Sequence, residues 1–343
     1  MKASVSIDKF VMEYKDVPLG AYYGLMRDAA MNGFQMKPTS YWGDYCYELH
    51  LRKENGAYLH VFYKNYRETE GHLHTLRLET RPEHYLHFHE LLEPIRKVAS
   101  RITFVGCDVA YDVSTSLENV IVIPTDMRRE MTHEGTTRYF GLPHQRKTNG
   151  YCRIYDKRLE RWEKQKIMLD HELSRIEIVY KPDQKLLLSD VGRYPPEQND
   201  KYFAAVVTDW DVLPRKRVEQ IRNMRDGAEM YTQRIRKGVK ETLANPYHVD
   251  FNRLAREQWV SLVEVPCVAV LGGSVNRSFN SDWCNDFVYT VYDLPTEEND
   301  RKHTGLCRFW KTSYTTHHCL PLVEGMSKNI SYAPLKTLKF YYM

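Results

Sequence analysis

The sequence predicts an α+β fold. A central, largely antiparallel sheet has helices packed on one face and leaves the other, charged face open, and a mixed, helix-containing C-terminal region follows. Two observations lead there. Short β-branched and aromatic stretches with period-two alternation recur through the first half, separated by helical patterns. In three of these stretches the apolar residues share one face and the charged residues the other, as in a sheet with a single buried side.

In chain order, strands are expected at Val5–Tyr14, Tyr58–Tyr63, Leu73–Glu79, Ile102–Val113, Val120–Ile123, Arg138–Gly141, Tyr151–Asp156 and Arg175–Tyr180. Helices are expected at Leu19–Asn32, Pro82–Ser100 and Lys157–Glu172. The Pro- and Asp-rich segment Lys181–Asp200 reads as a break between two domains, 1–190 and 191–343. Beyond it, Pro214–Thr242 is expected as a basic helix or helix pair and Asp250–Val263 as a further helix. Residues 264–343 are mixed, with a loop-like "LGGSVNRSFNSD".

The net charge of +4 is small, but its distribution is uneven. His144–Lys166 carries +5 and Pro214–Lys240 carries +6, leaving the rest of the chain at −7. Such clustering suits a phosphate-bearing partner, although a solvated helix face also produces it. The seven cysteines are scattered with no C-x-x-C pair, which argues against a disulfide framework or a structural zinc site. With no apolar run near 18 residues and no leader-like N-terminus, a protein of the bacterial cytoplasm without membrane contact is expected.

Strand alternation sorts the charges. In "CDVAYDV", Asp108 and Asp112 lie opposite Val109, Tyr111 and Val113; in "SRIEIVY", Arg175 and Glu177 lie opposite Ile176 and Ile178. In "YCRIYDK", Arg153, Tyr155 and Lys157 share a side, and Asp156 joins them if the strand ends there. A solvated sheet face explains polar residues in general, but aspartate suits strand interiors poorly. Two aspartates four apart in one strand suggest carboxylates kept for a cation.

Carboxylates are hard ligands for Mg2+ or Mn2+, which typically take one or two of them together with substrate phosphate oxygens. A tyrosine hydroxyl with a pKa near ~10 is ionised in about one molecule per thousand at neutral pH. As a nucleophile it therefore needs nearby cations, here Arg153, Lys157 and Arg175. The reaction such a face suits is attack on a phosphodiester. His72/His74 and His87/His89 form His-hydrophobic-His pairs, a competing metal-site pattern, but "PEHYLHFHELLE" reads as helical and would part the second pair.

"FVGCDVAYDVS", "TTRYFGLPHQRKTNGYCRIYDKRLE" and "LSRIEIVYK", in this order and spacing, resemble the rolling-circle replication initiators of small Gram-positive plasmids, the Rep_trans family. The likeness covers about residues 4–180, including a family-like first strand "VSIDKFVMEY". "VDFNRLAREQW" is only suggestive, and nothing is seen beyond it. "VGCD" departs from the family's usual arginine before the aspartate.

The resemblance implies a metal-dependent nickase and strand transferase acting at a plasmid double-strand origin. Tyr155 would form a 5′-phosphotyrosine, the freed 3′-OH would prime synthesis, and a host helicase would unwind the duplex. Asp108, Asp112 and Glu177 match the family's acidic positions, with Asp156 as a further ligand of Mg2+ or Mn2+. A homodimer is implied, with origin recognition in the C-terminal part. There Arg215, Lys216, Arg217, Arg222, Arg225, Arg234, Arg236 and Lys237 are the candidate DNA-binding cations. A relaxase-like initiator of conjugative or phage DNA transfer would use the same motifs. A non-enzymatic DNA-binding repressor would give Tyr155 and the acids no reason to share a face.

Overall fold

The computed structural model describes residues 3–38, 44–68, 71–228, 231–245 and 247–271, so most of the mixed C-terminal region lies outside the described residues. The N-terminal half runs β1 (Ala3–Pro18), α1 (Leu19–Met31), β2 (Gln35–Pro38), β3 (Tyr45–Arg52), β4 (Tyr58–Asn65), β5 (Leu73–Thr80), α2 (His89–Val98), β6 (Arg101–Val113) and β7 (Val120–Pro124). It continues through β8 (Met131–Glu134), β9 (Thr137–Phe140), β10 (Cys152–Asp156), α3 (Lys157–Gln165), β11 (Ser174–Tyr180) and β12 (Leu186–Leu187). Last come β13 (Tyr202–Val206), α4 (Arg215–Asp226), α5 (Gln233–Leu243), β14 (His248–Val249) and α6 (Phe251–Leu271).

The main sheet has the order β2-β3-β4-β5-β1-β6-β11-β10-β9-β8, with β12 paired to β6. A small sheet has the order β14-β13-β7. Every pairing among the described residues is antiparallel, as expected.

One face of the main sheet is apolar. Phe10, Met12 and Tyr14 of β1, Val109, Tyr111 and Val113 of β6, and Ile176 and Ile178 of β11 are buried in one core with Leu25 of α1, Leu92 and Ile95 of α2, and Trp259 and Val263 of α6. Each such side chain contributes about 1.5–3 kcal/mol on burial. The alternation that buries this set turns every intervening residue to the opposite, polar face. A second core, between the small sheet and α4/α5, holds Ile121, Ile123, Ala205, Ile221, Met224, Val239 and Leu243.

Several boundaries differ from expectation. Pro82–Ser100 is not one helix but a 3-10 turn over Pro82–His87 followed by α2, because Phe88 takes a non-helical φ of −122° between them. The helix after Tyr155 stops at Gln165, where Lys166 enters the left-handed region at φ 58° and closes the last turn. β3, "YCYELHLR", was not anticipated, although Leu49 and Leu51 alternate with Glu48 and His50. The basic segment is a helix pair, α4 and α5. On both sides of the expected break at 190/191 residues enter one core: Val191 and Tyr202 pack with the β6 residues, and Trp259 donates to the Val191 carbonyl at 2.8 Å. β13 also pairs with β7 from the first half.

A Cβ at Gly106 in β6 would stand 2.6 Å from the Tyr180 carbonyl oxygen. Glycine therefore lets β11 and the chain after it lie close against β6.

Candidate active site

The site forms where β10, β11, β6 and β1 lie side by side on the polar face. Strand register sets it: Tyr155 is opposite Arg175, Arg153 opposite Glu177, Arg175 opposite Asp112, and Glu177 opposite Ala110. Each of these residues leans away from the core because its neighbours Ile154, Ile176, Ile178, Val109 and Tyr111 point into it.

Tyr155, 8% exposed, donates its phenol hydrogen to Oε1 of Glu177, itself 3% exposed. The other carboxylate oxygen of Glu177 accepts from Nε of Arg153. Arg175 grips Asp112 with two hydrogen bonds, 2.6 and 2.7 Å, and places Nη1 3.7 Å from Glu177. The Arg153 guanidinium and the Lys157 ammonium lie 5.5 and 5.6 Å from the Tyr155 ring centre. Lys157 is held there by Glu160 at 2.8 Å.

Burial, and then the charge of Glu177 and its hydrogen bond, push the Tyr155 phenol well above its usual range, with Arg175 and Arg153 opposing. Cations around the hydroxyl were expected to favour phenolate. Instead both guanidiniums are neutralised by carboxylates, so the resting tyrosine is a protonated phenol aimed at a base. Burial disfavours the charged Arg153 and Arg175, but Glu177 and Asp112 respectively outweigh it and raise both above the normal arginine range.

The expected four-carboxylate ligand set does not assemble. Asp156 caps α3, accepting from the Leu159 amide at 3.0 Å, because the strand turns into a helix directly after it. Asp112 is held by Arg175, and Glu177 by Tyr155 and Arg153. Among the described residues, Asp108 is ion-paired with Lys9 alone, at 3.1 Å. Burial raises the Asp108 carboxyl above the normal range, with nearby Asp8 adding to the effect and Lys9 opposing it.

Among the described residues no group of three or more His, Cys, Asp or Glu could hold a metal. Two other carboxylates on this face are Asp108, paired with Lys9, and its neighbour Asp8, held by arginines, so a metal would bind them only in exchange for these cations. That donor set fits Mg2+ or Mn2+ completed by substrate phosphate oxygens. The histidine pairs do not enter the site. His74 is buried against the Tyr63 ring at 5.8 Å, and His89 donates from Nδ1 to the Leu86 carbonyl oxygen at 2.8 Å. Since a carbonyl only accepts, the Nδ1 of His89 carries the hydrogen.

Asp8 and Arg81 escaped the sequence reading. Asp8 Oδ1 accepts from Arg81 at 2.9 Å and from Arg175 at 3.3 Å, and its Oδ2 lies 3.7 Å from Arg153. One carboxylate thus gathers three guanidiniums, two from strands β10 and β11 and one from the residue directly after β5. A register shift between Ile7 and Lys9 makes this possible: a bulge puts two residues where one belongs, so Asp8 and Lys9 both meet the polar face. Its trace in the sequence is a change of phase, since the buried positions run Val5, Ile7 and then Phe10, Met12, Tyr14.

The basic helices divide by exposure. Arg215, Lys216, Arg222, Arg234 and Lys237 are exposed, whereas Arg217, Arg225 and Arg236 are partly covered. Arg225 donates to the Glu118 carbonyl at 2.8 Å, Arg236 donates to the Pro124 carbonyl, and Arg217 bonds Gln220 at 2.8 Å. Arg225 thus ties α4 to the turn before β7 and Arg236 ties α5 to the end of β7, while the Arg217 bond stays within α4. Arg138, buried in β9 next to β10, donates to the carbonyls of Leu117, Val120 and Arg225 at 2.9–3.2 Å. Burial, together with nearby Arg225, pushes it down to about 10. It links the active-site half of the sheet to the end of α4.

No known family profile and no curated protein matches this chain. Among solved structures, a rolling circle replication initiator protein from Geobacillus stearothermophilus is similar over 71% of this chain and 97% of that one, at 12% identity and a TM-score of 0.34.

Proposed function

We propose that this protein is a plasmid rolling-circle replication initiator that nicks and rejoins one strand of the double-strand origin through Tyr155. The observation that carries the reading is the phenol of Tyr155 donating to a buried carboxylate, Glu177, between two arginines. The motif resemblance and the basic α4–α5 pair support it.

In the reaction, an incoming phosphodiester offers Arg153 and Arg175 a new anionic partner. That loosens their hold on the carboxylates, and the guanidiniums neutralise charge on the attacked phosphate. The Tyr155 oxygen bonds to phosphorus as the bond to the 3′ oxygen breaks. The phenol proton passes to Glu177 and from there, through water, to the departing 3′ oxygen. The products are a 5′-phosphotyrosine and a free 3′-OH. Glu177 acts here as proton acceptor rather than metal ligand. Asp8 and Asp108 would hold Mg2+ or Mn2+, which when bound supplies Lewis-acid polarisation of the phosphate. Asp112 positions Arg175, and Glu160 positions Lys157.

A homodimer, a host helicase and a bacterial cytoplasmic setting belong to the same reading. The test is incubation with single-stranded oligonucleotides from the replicon's own origin, with Mn2+, followed by a denaturing gel. A covalent protein–DNA band is expected; its absence across the whole origin with either metal would overturn the proposal.

A further inference from the structure

The polar face does not end at the nicking centre. Beyond Asp8, Arg81 follows directly after β5, and its guanidinium shares the Asp8 oxygen with Arg175. Its own Nε is buried and has no hydrogen-bond partner among the described residues. On the far side of Arg81 comes Tyr58 of β4, whose phenol is raised by burial and drawn back by the charge of Arg81. Next is a run of rings on the same face. Tyr58 and His60 have centroids 5.1 Å apart, and His60 stacks on His50 of β3 at 3.9 Å and 18°. All of these rings are partly exposed.

We propose that Arg81, Tyr58, His60 and His50 form a second subsite for single-stranded DNA, holding the strand beside the phosphate cleaved at Tyr155. The inference rests on the nicking reading for which strand is bound, but not for the binding itself. Arg81 would take a backbone phosphate, with its unpartnered Nε and its position beside Arg175 making a continuous cationic step away from the scissile phosphate. The rings beyond it would stack on bases, as in sequence-tolerant single-strand binding. From β10 to β4 there are five strand steps of about 4.8 Å, or roughly 24 Å, enough for a few nucleotides.

The electrostatics of the run suit this ligand. Burial, with His50 adding to it, pushes His60 down to about 4, so at neutral pH it presents an uncharged aromatic face. The acids nearby are engaged: Glu48 bonds His50 at 2.9 Å and Glu79 pairs with Arg77 at 2.7 Å. The cation therefore lies where a phosphate would sit and the rings where bases would sit. A duplex offers no exposed base faces, so it would not occupy the ring row.

The experiment measures oligothymidine binding by fluorescence anisotropy over a range of salt, in the full chain. His60→Leu should weaken binding by roughly tenfold, the loss of one base–aromatic stack, with the salt slope unchanged. His60→Phe should retain affinity, since a ring remains, which separates a lost stack from a misfolded protein. Arg81→Gln should lower the magnitude of the salt slope by about 0.7, one phosphate contact on a single strand. Wild-type affinity in His60→Leu, or an unchanged slope in Arg81→Gln, would overturn the subsite while leaving adduct formation at Tyr155 standing. Weakened binding in the variants of a protein that forms no adduct would support the subsite and remove the nickase.

Discussion

Tyr155 and Glu177 form a donor–acceptor pair across two adjacent strands, and Arg153 fixes the acceptor from the other side. The pair is locked by register, since Arg153 and Glu177 face each other and Tyr155 faces Arg175. The hydroxyl and its base thus keep their relation without any loop to position them.

Tyr155→Phe should abolish the covalent adduct while folding stays near wild type, because the loss is one buried hydrogen bond, worth about 1–2 kcal/mol. Glu177→Gln should also abolish it at every Mn2+ concentration, since the amide cannot accept the phenol proton. Peptide mapping of the wild-type adduct should place the phosphate on "IYDK". Adduct on Tyr151, the neighbouring tyrosine at the start of the strand, would move the nucleophile.

The metal assignment has its own signature. Chelation should stop nicking, and Asp108→Asn should raise the Mn2+ concentration for half-maximal cleavage. Asp156→Ala should leave that concentration unchanged and cost about 1 kcal/mol of stability from the lost helix cap. An Asp156 variant with altered metal dependence, or a His72→Ala/His74→Ala variant that loses cleavage, would move the metal elsewhere.

Glu160 gives a pH test. Burial raises its carboxyl, but hydrogen bonds from Lys157 and Lys164 outweigh this and hold it at about 2. A depressed folded value means the stabilisation is complete above the unfolded carboxyl value of about 4.3 and fades as pH falls toward the folded one. Glu160→Gln should be less stable than wild type near neutrality, and urea midpoints should converge between about pH 4.3 and 2. A constant difference over that window would mean the pair contributes through packing alone.

For duplex recognition the exposed cations matter. Arg215→Gln/Lys216→Gln/Arg234→Gln should weaken origin binding and lower the salt slope by about 0.9 for each lost phosphate contact. Cleavage of a short single strand should survive better than cleavage of the duplex. An unchanged slope would mark α4 and α5 as a solvated surface.

Much of this was legible in the chain alone. Period-two alternation assigned Asp108, Asp112, Arg153, Tyr155, Arg175 and Glu177 to one face, because in a strand with one buried side the apolar residues dictate where the others point. Charge clustering also marked Pro214–Thr242 as a basic helix or helix pair. Alternation is a one-dimensional signal, however, and says which side a residue takes, not what it meets there. Tertiary structure decided that Asp112 is bound by Arg175, that Glu177 faces the phenol, and that Asp156 caps a helix. It brought in Asp8 and Arg81, 73 residues apart, through a bulge in β1 and the order β5-β1-β6-β11. Charge partners on neighbouring strands are set by register and strand order, and those follow from packing the whole core at once.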